Sequence, residues 1–157
     1  MIIRKGTIND LDQVLKLVYE LAIYENAKDE VNNSIETMRE DGFGENPAFG
    51  FFVAENKETI VGIVVYYFRY STWKGRMLYI EDLIVSENFR KEGIGTRLMD
   101  EVILEATKTN CNGVQWQVLD WNEPAIKFYR KYKPKLDGEW INFRISKEQL
   151  ESYKSNS

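Results

Sequence analysis

The sequence contains no histidine, and this absence removes several classes of enzyme. Histidine is the commonest general base and the commonest metal ligand in proteins. A Ser-His-Asp or Cys-His active site is therefore excluded. Any proton transfer must use carboxylate, tyrosine, lysine, cysteine or water, and we expect no bound metal.

Cysteine is nearly absent as well, because Cys111 is the one cysteine of the chain. A single thiol cannot form an intramolecular disulfide, which fits a reducing compartment. The first residues lack the apolar centre of a signal peptide, and no apolar run approaches the length of a membrane span. These patterns predict a cytoplasmic protein that does not associate with membranes.

The charge balance is mildly acidic, with a formal net charge of −4 over 157 residues. General binding of nucleic acid requires a basic surface, so this class of partner is not expected. A cationic substrate is compatible with the balance. The length and the 43% hydrophobic content predict one globular domain spanning residues 1–157.

Hydrophobic periodicity predicts a mixed α/β (α+β) chain with helices on both faces of one sheet. A polar tail at Ser152–Ser157 is expected to fray. The predicted strands are Ile2–Lys5, Phe49–Glu55, Thr59–Tyr70, Arg76–Val85, Gly113–Leu119 and Glu139–Ile145. The predicted helices run from Thr7 to Tyr24-Glu25, from Ser34 to about Asp41, from Gly93 to about Asn110 and from Asn122 to Lys131.

A glycine-bearing segment, Arg90-Lys91-Glu92-Gly93-Ile94-Gly95-Thr96, separates a predicted strand from a long predicted helix. Free N–H groups and the helix dipole make such a junction suitable for an anion. It is neither a Walker loop nor a complete dinucleotide fingerprint. From the residues alone, it is either an ordinary turn or a phosphate cradle.

Two adjacent acids, Glu81 and Asp82, lie at the centre of the apolar strand before this loop. Strand alternation predicts that they face opposite sides of the sheet. A carboxylate in apolar surroundings has a raised pKa, which suits a base or a clamp for a cation. Structural ion pairs with lysine or arginine are the alternative interpretation.

Three stretches carry a resemblance to the GCN5-related N-acetyltransferase (GNAT) superfamily. The first is the loop Arg90-x-x-Gly93-x-Gly95, which resembles an acetyl-CoA pyrophosphate loop. The run from Tyr66 to Asp82, with Ser71-Thr72-Trp73-Lys74-Gly75-Arg76 at its centre, and the run from Val118 to Tyr129 resemble the diamine (spermidine/spermine) acetyltransferase branch, close to the thialysine acetyltransferases. The resemblance implies a mixed, mostly antiparallel twisted sheet that splays open where acetyl-CoA binds.

The resemblance also implies roles for individual residues. Glu81 would be the general base, through an ordered water, and Asp82 a second carboxylate for a cationic substrate. Tyr129, which by spacing alone is a core tyrosine, would be the general acid beside the coenzyme sulfur. Acetyl-CoA would contact Leu83, Ile84, Val85, Arg90, Lys91, Glu92, Gly93, Ile94, Gly95, Thr96, Asn122, Glu123, Pro124, Ala125 and Tyr129. The substrate would contact Tyr24, Glu25, Trp73, Glu81, Asp82, Gln115, Trp116 and Gln117.

Two departures from the family pattern affect turns. Lys91 stands where relatives often have glycine, and Lys133-Pro134 replaces a common Gly-Ala.

The activity that the resemblance implies is direct transfer of acetyl from acetyl-CoA to a primary amine, in a polyamine or in an amino acid such as thialysine. A protein lysine substrate and a coenzyme-binding sensor without turnover are the alternatives, and a homodimer is expected by resemblance.

Overall fold

A computed structural model describes residues 1–153 of the chain. The Cα positions divide into two compact units, Met1–Gln117 and Val118–Ser157. Among the described residues, no helix has the length and apolar character that a bilayer crossing requires.

The first unit contains three α-helices, and side-chain hydrogen bonds precede the first two of them. Helix α1, Leu11–Tyr24, follows a turn in which Asp10 accepts hydrogen bonds from the Thr7 backbone N–H and hydroxyl. Helix α2, Ile35–Phe43, starts where the Ser34 hydroxyl accepts the N–H of Thr37 at 3.1 Å. Helix α3 is Ile94–Lys108. All three helices were predicted, with ends shifted by a few residues.

Five strands form one sheet in the order in which they occur along the chain. The first four pair antiparallel, and the last two pair parallel. The predicted mixed, mostly antiparallel sheet is therefore confirmed. The strands are β1 (Ile2–Lys5), β2 (Gly50–Asn56), β3 (Thr59–Ser71), β4 (Gly75–Val85) and β5 (Val114–Trp116).

The two faces of the sheet pack against different helices. On one face, Ile63, Val65 and Ile84 join a buried core with residues of α1 and α2. On the other face, Gly62 lies against α3, where an added Cβ would meet Leu98 Cδ1 at 3.1 Å. We call these faces the α1 face and the α3 face. The apolar periodicity of β3 thus reflects burial on both sides.

The register of β3 with β4 shifts by one residue in the middle of the sheet. Val65 pairs with Asp82 and Tyr66 pairs with Ile80, so Glu81 is opposite no residue of β3. This arrangement is a β-bulge, which re-aims side chains and is frequent beside active sites. Strict alternation is interrupted here. The prediction that Glu81 and Asp82 face opposite sides rested on regular alternation, which the bulge interrupts.

The second unit contains helix α4, Glu123–Arg130, which the sequence predicted, and helix α5, Lys147–Ser152, which it did not. The predicted strand Glu139–Ile145 is wrong, because these residues form neither strand nor helix. Their apolar side chains are exposed, with Trp140 at 79% and Phe143 at 92%. An alternating pattern becomes a strand only if a neighbour supplies the ladder hydrogen bonds. The predicted fraying tail overlaps α5 at Ser152, and its residues 154–157 lie outside the described part.

Candidate active site

The edge of β4 opens at the point where the acids lie. The parallel pairing of β4 with β5 covers Leu78 to Ile80, and the last partners are Ile80 and Trp116. Strand β4 continues to Val85 along β3, so its final residues have no strand beside them on the β5 side within residues 1–153. The family resemblance implied a splayed sheet at this place.

The backbone of this open segment has donors that point away from β3. Leu78 donates its N–H to the Gly113 carbonyl oxygen at 3.0 Å, toward β5. Leu83 and Val85 have the same phase as Leu78 relative to β3, because their partners Val64 and Gly62 alternate regularly with Phe68. Their N–H groups therefore point to the side from which β5 has diverged, where an extended ligand can act as the missing strand. Between them, Ile84 is buried and belongs to the core.

The glycine loop beyond β4 forms a turn with two left-handed residues. Lys91 has φ 68° and Gly93, which precedes α3, has φ 78°. A Cβ at Gly93 would meet nothing within 4 Å, so its space is open and glycine is needed for its backbone angle. Left-handed residues beside helical ones create a concave group of N–H donors, which adds to the anion preference of the α3 amino-terminus. The junction fits a pyrophosphate.

The loop is tied to neighbouring elements by Arg90. Its Nε donates to the Val85 carbonyl oxygen at 3.1 Å, and its guanidinium carbon lies 5.5 Å from the Tyr24 ring centroid. Tyr24 is the last residue of α1, and Glu25 is the residue that caps it. Arg90 therefore links the glycine loop to the end of α1, where two predicted substrate residues lie.

Three carboxylates interact at this edge. Burial raises the pKa of Asp82 to about 6, and the charges of Glu81 and Glu25 contribute to the rise. Burial also raises the pKa of Glu25. Glu81 is exposed at the bulge. The fold thus brings acids from α1 and β4 close enough to repel each other, which is the arrangement expected of a functional site.

Two tyrosines that the sequence analysis gave no role lie on the same face. Tyr67 and Tyr79 are register partners, and their ring centroids are 5.2 Å apart. Burial raises the pKa of both hydroxyls, and the negative charge of Glu81 raises them further. The run Tyr66-Tyr67-Phe68 was visible in the sequence, but the contact depends on strand register, which no local pattern reveals.

The remaining predicted substrate residues of the first unit are distributed around this edge. Gln115 pairs with Tyr79 and so shares the α1 face, whereas Trp116 pairs with Ile80 and lies in phase with the α3 face. Gln117 follows the end of β5. Trp73 is 92% exposed at the tip of the β3–β4 hairpin. The sheet therefore places Gln115, and not Trp116, in phase with Asp82.

The predicted residues of the second unit are on α4. Asn122 is 9% exposed and caps the helix, accepting the Ala125 N–H at 3.3 Å. Glu123 and Pro124 form the first turn. Tyr129 is half-buried, two turns along, with its ring 5.2 Å from that of Phe128. The predicted helix and its cap are confirmed.

A cavity of about 550 Å³ lies in the first unit, and Tyr67 of the tyrosine pair is one of its lining residues. Aromatic side chains, including Phe43, Phe49 and Phe68, line it together with Lys5 and Glu105. None of the predicted site residues lines this cavity.

Comparison with known proteins agrees with these features. A family model described as "Acetyltransferase (GNAT) family" matches residues 15–133, which include the open edge of β4, the glycine loop and α4. The chain belongs to the GNAT acetyltransferase family. The GNAT match extends over both compact units, from α1 to the turn after α4.

Named GNAT relatives narrow the branch. A thialysine N-epsilon-acetyltransferase of Sus scrofa is 37% identical over 96% of this chain and 95% of its own length. A human spermidine/spermine N(1)-acetyltransferase-like protein 1 is 33% identical over 94% of this chain, but over only 23% of its own length. These relatives confirm the recognised branch and identify the chain as an N-acetyltransferase.

Solved structures support the fold. An aminoglycoside acetyltransferase from an uncultured soil metagenomic sample matches with a TM-score of 0.76, covering 92% of this chain and 95% of that one. The two sequences are 24% identical, so the likeness concerns the fold alone. The GNAT fold predicted from the sequence is confirmed.

Proposed function

We propose that this GNAT enzyme transfers an acetyl group from acetyl-CoA to the primary amine of a small cationic substrate, directly and within a ternary complex. The observation that carries the proposal is the convergence of Glu25, Glu81 and Asp82 beside the open edge of β4. The leading substrates are thialysine or a lysine-like amino acid, and polyamines such as spermidine and spermine. The names of the relatives support both classes.

Acetyl-CoA supplies an acetyl group activated as a thioester. The residues of the glycine loop, from Arg90 to Thr96, would hold its pyrophosphate through backbone N–H groups and basic side chains. The N–H groups of Leu83 and Val85 would hold the extended arm and polarise the carbonyl, because they point to the side without a strand. Hydrogen-bond donors that are fixed before the reaction are the most effective stabilisers of developing negative charge.

Proton transfers require an acid and a base from the chain itself. Glu81 would accept a proton from the substrate ammonium, directly or through a water molecule, because its carboxylate is exposed at the bulge beside the partly buried Asp82. Asp82 would be a second carboxylate that holds the cation. Tyr129 would donate a proton to the departing sulfur, and Asn122 to Ala125 would contact the coenzyme, as the family resemblance implies.

The test is release of free CoA thiol from acetyl-CoA with thialysine, lysine, spermidine, spermine, putrescine and a lysine-bearing peptide. Saturable release with at least one small amine is the expected result. Release with the peptide alone would replace the proposal by acetylation of a protein lysine. Binding of acetyl-CoA without release with any amine would favour a sensor.

The proposal includes the oligomeric state and the cellular location of the enzyme. We expect a homodimer in the cytoplasm. The exposed apolar side chains of residues 139–145 support self-association, since exposed apolar patches of this kind often mark interfaces. Light scattering coupled to gel filtration measures the dimer directly, and a monomer at micromolar concentration would contradict it.

A further inference from the structure

The α1 face carries a cation as well as acids. On β3, Val65, Tyr67 and Arg69 alternate regularly, and their β4 partners are Asp82, Tyr79 and Met77. Arg69 is therefore in phase with Asp82 and with the tyrosine pair. Its guanidinium carbon lies 5.7 Å from the centroid of the Tyr79 ring. The face thus has acids at one end, a guanidinium at the other, and two tyrosine rings between them.

The guanidinium of Arg69 has no anionic partner in the described part of the chain. The ion pairs within residues 1–153 involve Arg4, Lys5 and Lys147 as cations. Arg69 is exposed on its strand, and its positive charge reaches the hydroxyls of Tyr67 and Tyr79, opposing the effect of Glu81 on both. An arginine held against an aromatic ring keeps its planar fork available for a carboxylate.

The separation between the two charged ends has the size of a small molecule. The Arg69 guanidinium lies over the ring of Tyr79, which pairs with Tyr67 on β3. Tyr67 is two residues from Val65, which pairs with Asp82, and two residues correspond to about 7 Å along the strand. Arg69 itself is four residues from Val65, or about 13 Å. Lysine, whose amine is separated from its α-carbon by a four-carbon stem, has a length compatible with these limits.

We infer that Arg69 binds the α-carboxylate of an amino-acid substrate whose side-chain amine lies at Glu81 and Asp82. This inference rests on the proposed function and specifies its substrate class. A polyamine would instead place a second ammonium beside the guanidinium, where like charges repel. Arg69 therefore selects lysine-like amino acids over diamines of the same length.

The hairpin provides a matched control. Arg76 lies on the neighbouring strand near Arg69, but its phase is that of the α3 face, and its guanidinium carbon is 3.9 Å from the centroid of the Phe68 ring. Arg69→Gln and Arg76→Gln remove the same charge from the two faces of one hairpin. A general effect of net charge on amine binding would appear in both variants. Loss of carboxylate binding would appear in Arg69→Gln and not in Arg76→Gln.

The experiment measures kcat and KM for thialysine, lysine and cadaverine, the diamine that corresponds to lysine without its carboxylate. We expect Arg69→Gln to raise KM for thialysine and lysine about tenfold, with a much smaller effect on kcat. We expect KM for cadaverine to fall in the same variant. Arg69→Lys should recover part of the lost affinity, and Arg76→Gln should keep the wild-type order of substrates.

Two results would overturn the inference while leaving amine acetylation intact. One is a wild-type preference for cadaverine over lysine. The other is an Arg69→Gln variant that keeps the preference for the amino acids. If the wild type acetylates no amine, the proposed function fails, and calorimetric titration of thialysine in the presence of CoA decides on Arg69 separately. Binding that Arg69→Gln abolishes and Arg76→Gln retains would support the carboxylate site, and an absence of binding would overturn it.

Discussion

Tyr79 and Asp82 lie on the same face of the sheet although they are three residues apart on β4. In a regular strand, residues separated by three positions face opposite sides. The bulge at Glu81 changes this phase, so the tyrosine pair, Asp82 and Gln115 share one face. The bulge therefore assembles the site, and it lies at the end of the β4–β5 pairing, where the sheet opens.

The first prediction concerns the stability contributed by Asp82. Its pKa of about 6 in the folded protein lies above the ordinary value of 3.8, so the folded state binds a proton more readily than the unfolded state. Stability should therefore fall as the pH rises from about 4 to about 6, and Asp82→Asn should gain about 1–3 kcal/mol at pH 7. Chemical denaturation at pH 4 and at pH 7 measures the fall in stability, and denaturation of the wild type and Asp82→Asn at pH 7 measures the gain.

Asp100→Asn provides the control for Asp82→Asn, because Asp100 is an exposed acid on α3. The Asp100→Asn variant should have nearly the wild-type stability and the wild-type activity. Asp82→Asn should lose activity toward cationic amines while it gains stability. If Asp82→Asn lowered the stability at pH 7, the Asp82 carboxylate would have to be stabilised by a cation or a hydrogen-bond donor in the folded protein, which would contradict the prediction.

The second prediction separates the roles of Glu81 and Asp82. If Glu81 is the base, Glu81→Gln should lower kcat/KM by at least about a hundredfold. The loss should be greatest at low pH, where more of the amine is protonated and needs a base. The pH profile of kcat/KM with a saturating concentration of acetyl-CoA provides the measurement. A profile with the wild-type shape would remove Glu81 from the base role and direct attention to Asp82.

The third prediction tests Tyr129 as the general acid. Tyr129→Phe should lower kcat about a hundredfold, because only the hydroxyl is lost. The dissociation constant of acetyl-CoA should stay within a few-fold of the wild-type value. Tyr132→Phe, which removes a hydroxyl from the turn after α4, serves as the control. Equal turnover in Tyr129→Phe and wild type would exclude the general-acid role.

The fourth prediction uses the left-handed conformation of Lys91. A residue with a Cβ is strained at φ 68°, so Lys91→Gly should relieve about 1 kcal/mol of strain, partly offset by the greater freedom of glycine in the unfolded chain. Melting should occur at an equal or higher temperature. Lys16→Gly within α1 should instead cost about 1 kcal/mol.

The same position separates backbone strain from charge. Lys91→Gln keeps the strained backbone and removes the ammonium, so it should weaken acetyl-CoA binding without a gain in stability. Lys91→Gly removes both. Equal affinities of wild type and Lys91→Gln, measured by titration calorimetry, would show that the ammonium does not contact a phosphate.

Local patterns predicted the parts of this fold that local forces determine. The 3.6-residue spacing of apolar residues and the caps at Ser34 and Asn122 located the helices. The glycine at position 93 located the loop. The predicted strand at residues 139–145 failed because its alternating residues have no partner strand in the described chain. A strand depends on a neighbour that its own sequence does not specify.

The composition of the site was only partly predictable. Glu81 and Asp82 are adjacent in sequence, so their interaction was visible, and the family motifs indicated Glu25. The coupling of Asp82 to Glu25, across more than fifty residues of chain, requires the packing of α1 on the sheet. The position of Arg69 depends on the register of β3 with β4, including the bulge. Sequence periodicity contains no information about a one-residue shift of this kind.

The turn before β5 fastens one end of the parallel strand pair. Asn112 donates its backbone N–H to Arg76 at 2.7 Å and its side-chain amide to Lys74 at 2.6 Å, and the ladder continues to Ile80. A ligand that enters the open edge can therefore separate β4 from β5 only beyond Ile80 and Trp116, because the opposite end of the pair is held by these hydrogen bonds. In hydrogen exchange, Leu78 should stay protected with or without ligand. The backbone N–H groups of Leu83 and Val85 should exchange slowly only when a ligand occupies the gap between β4 and β5.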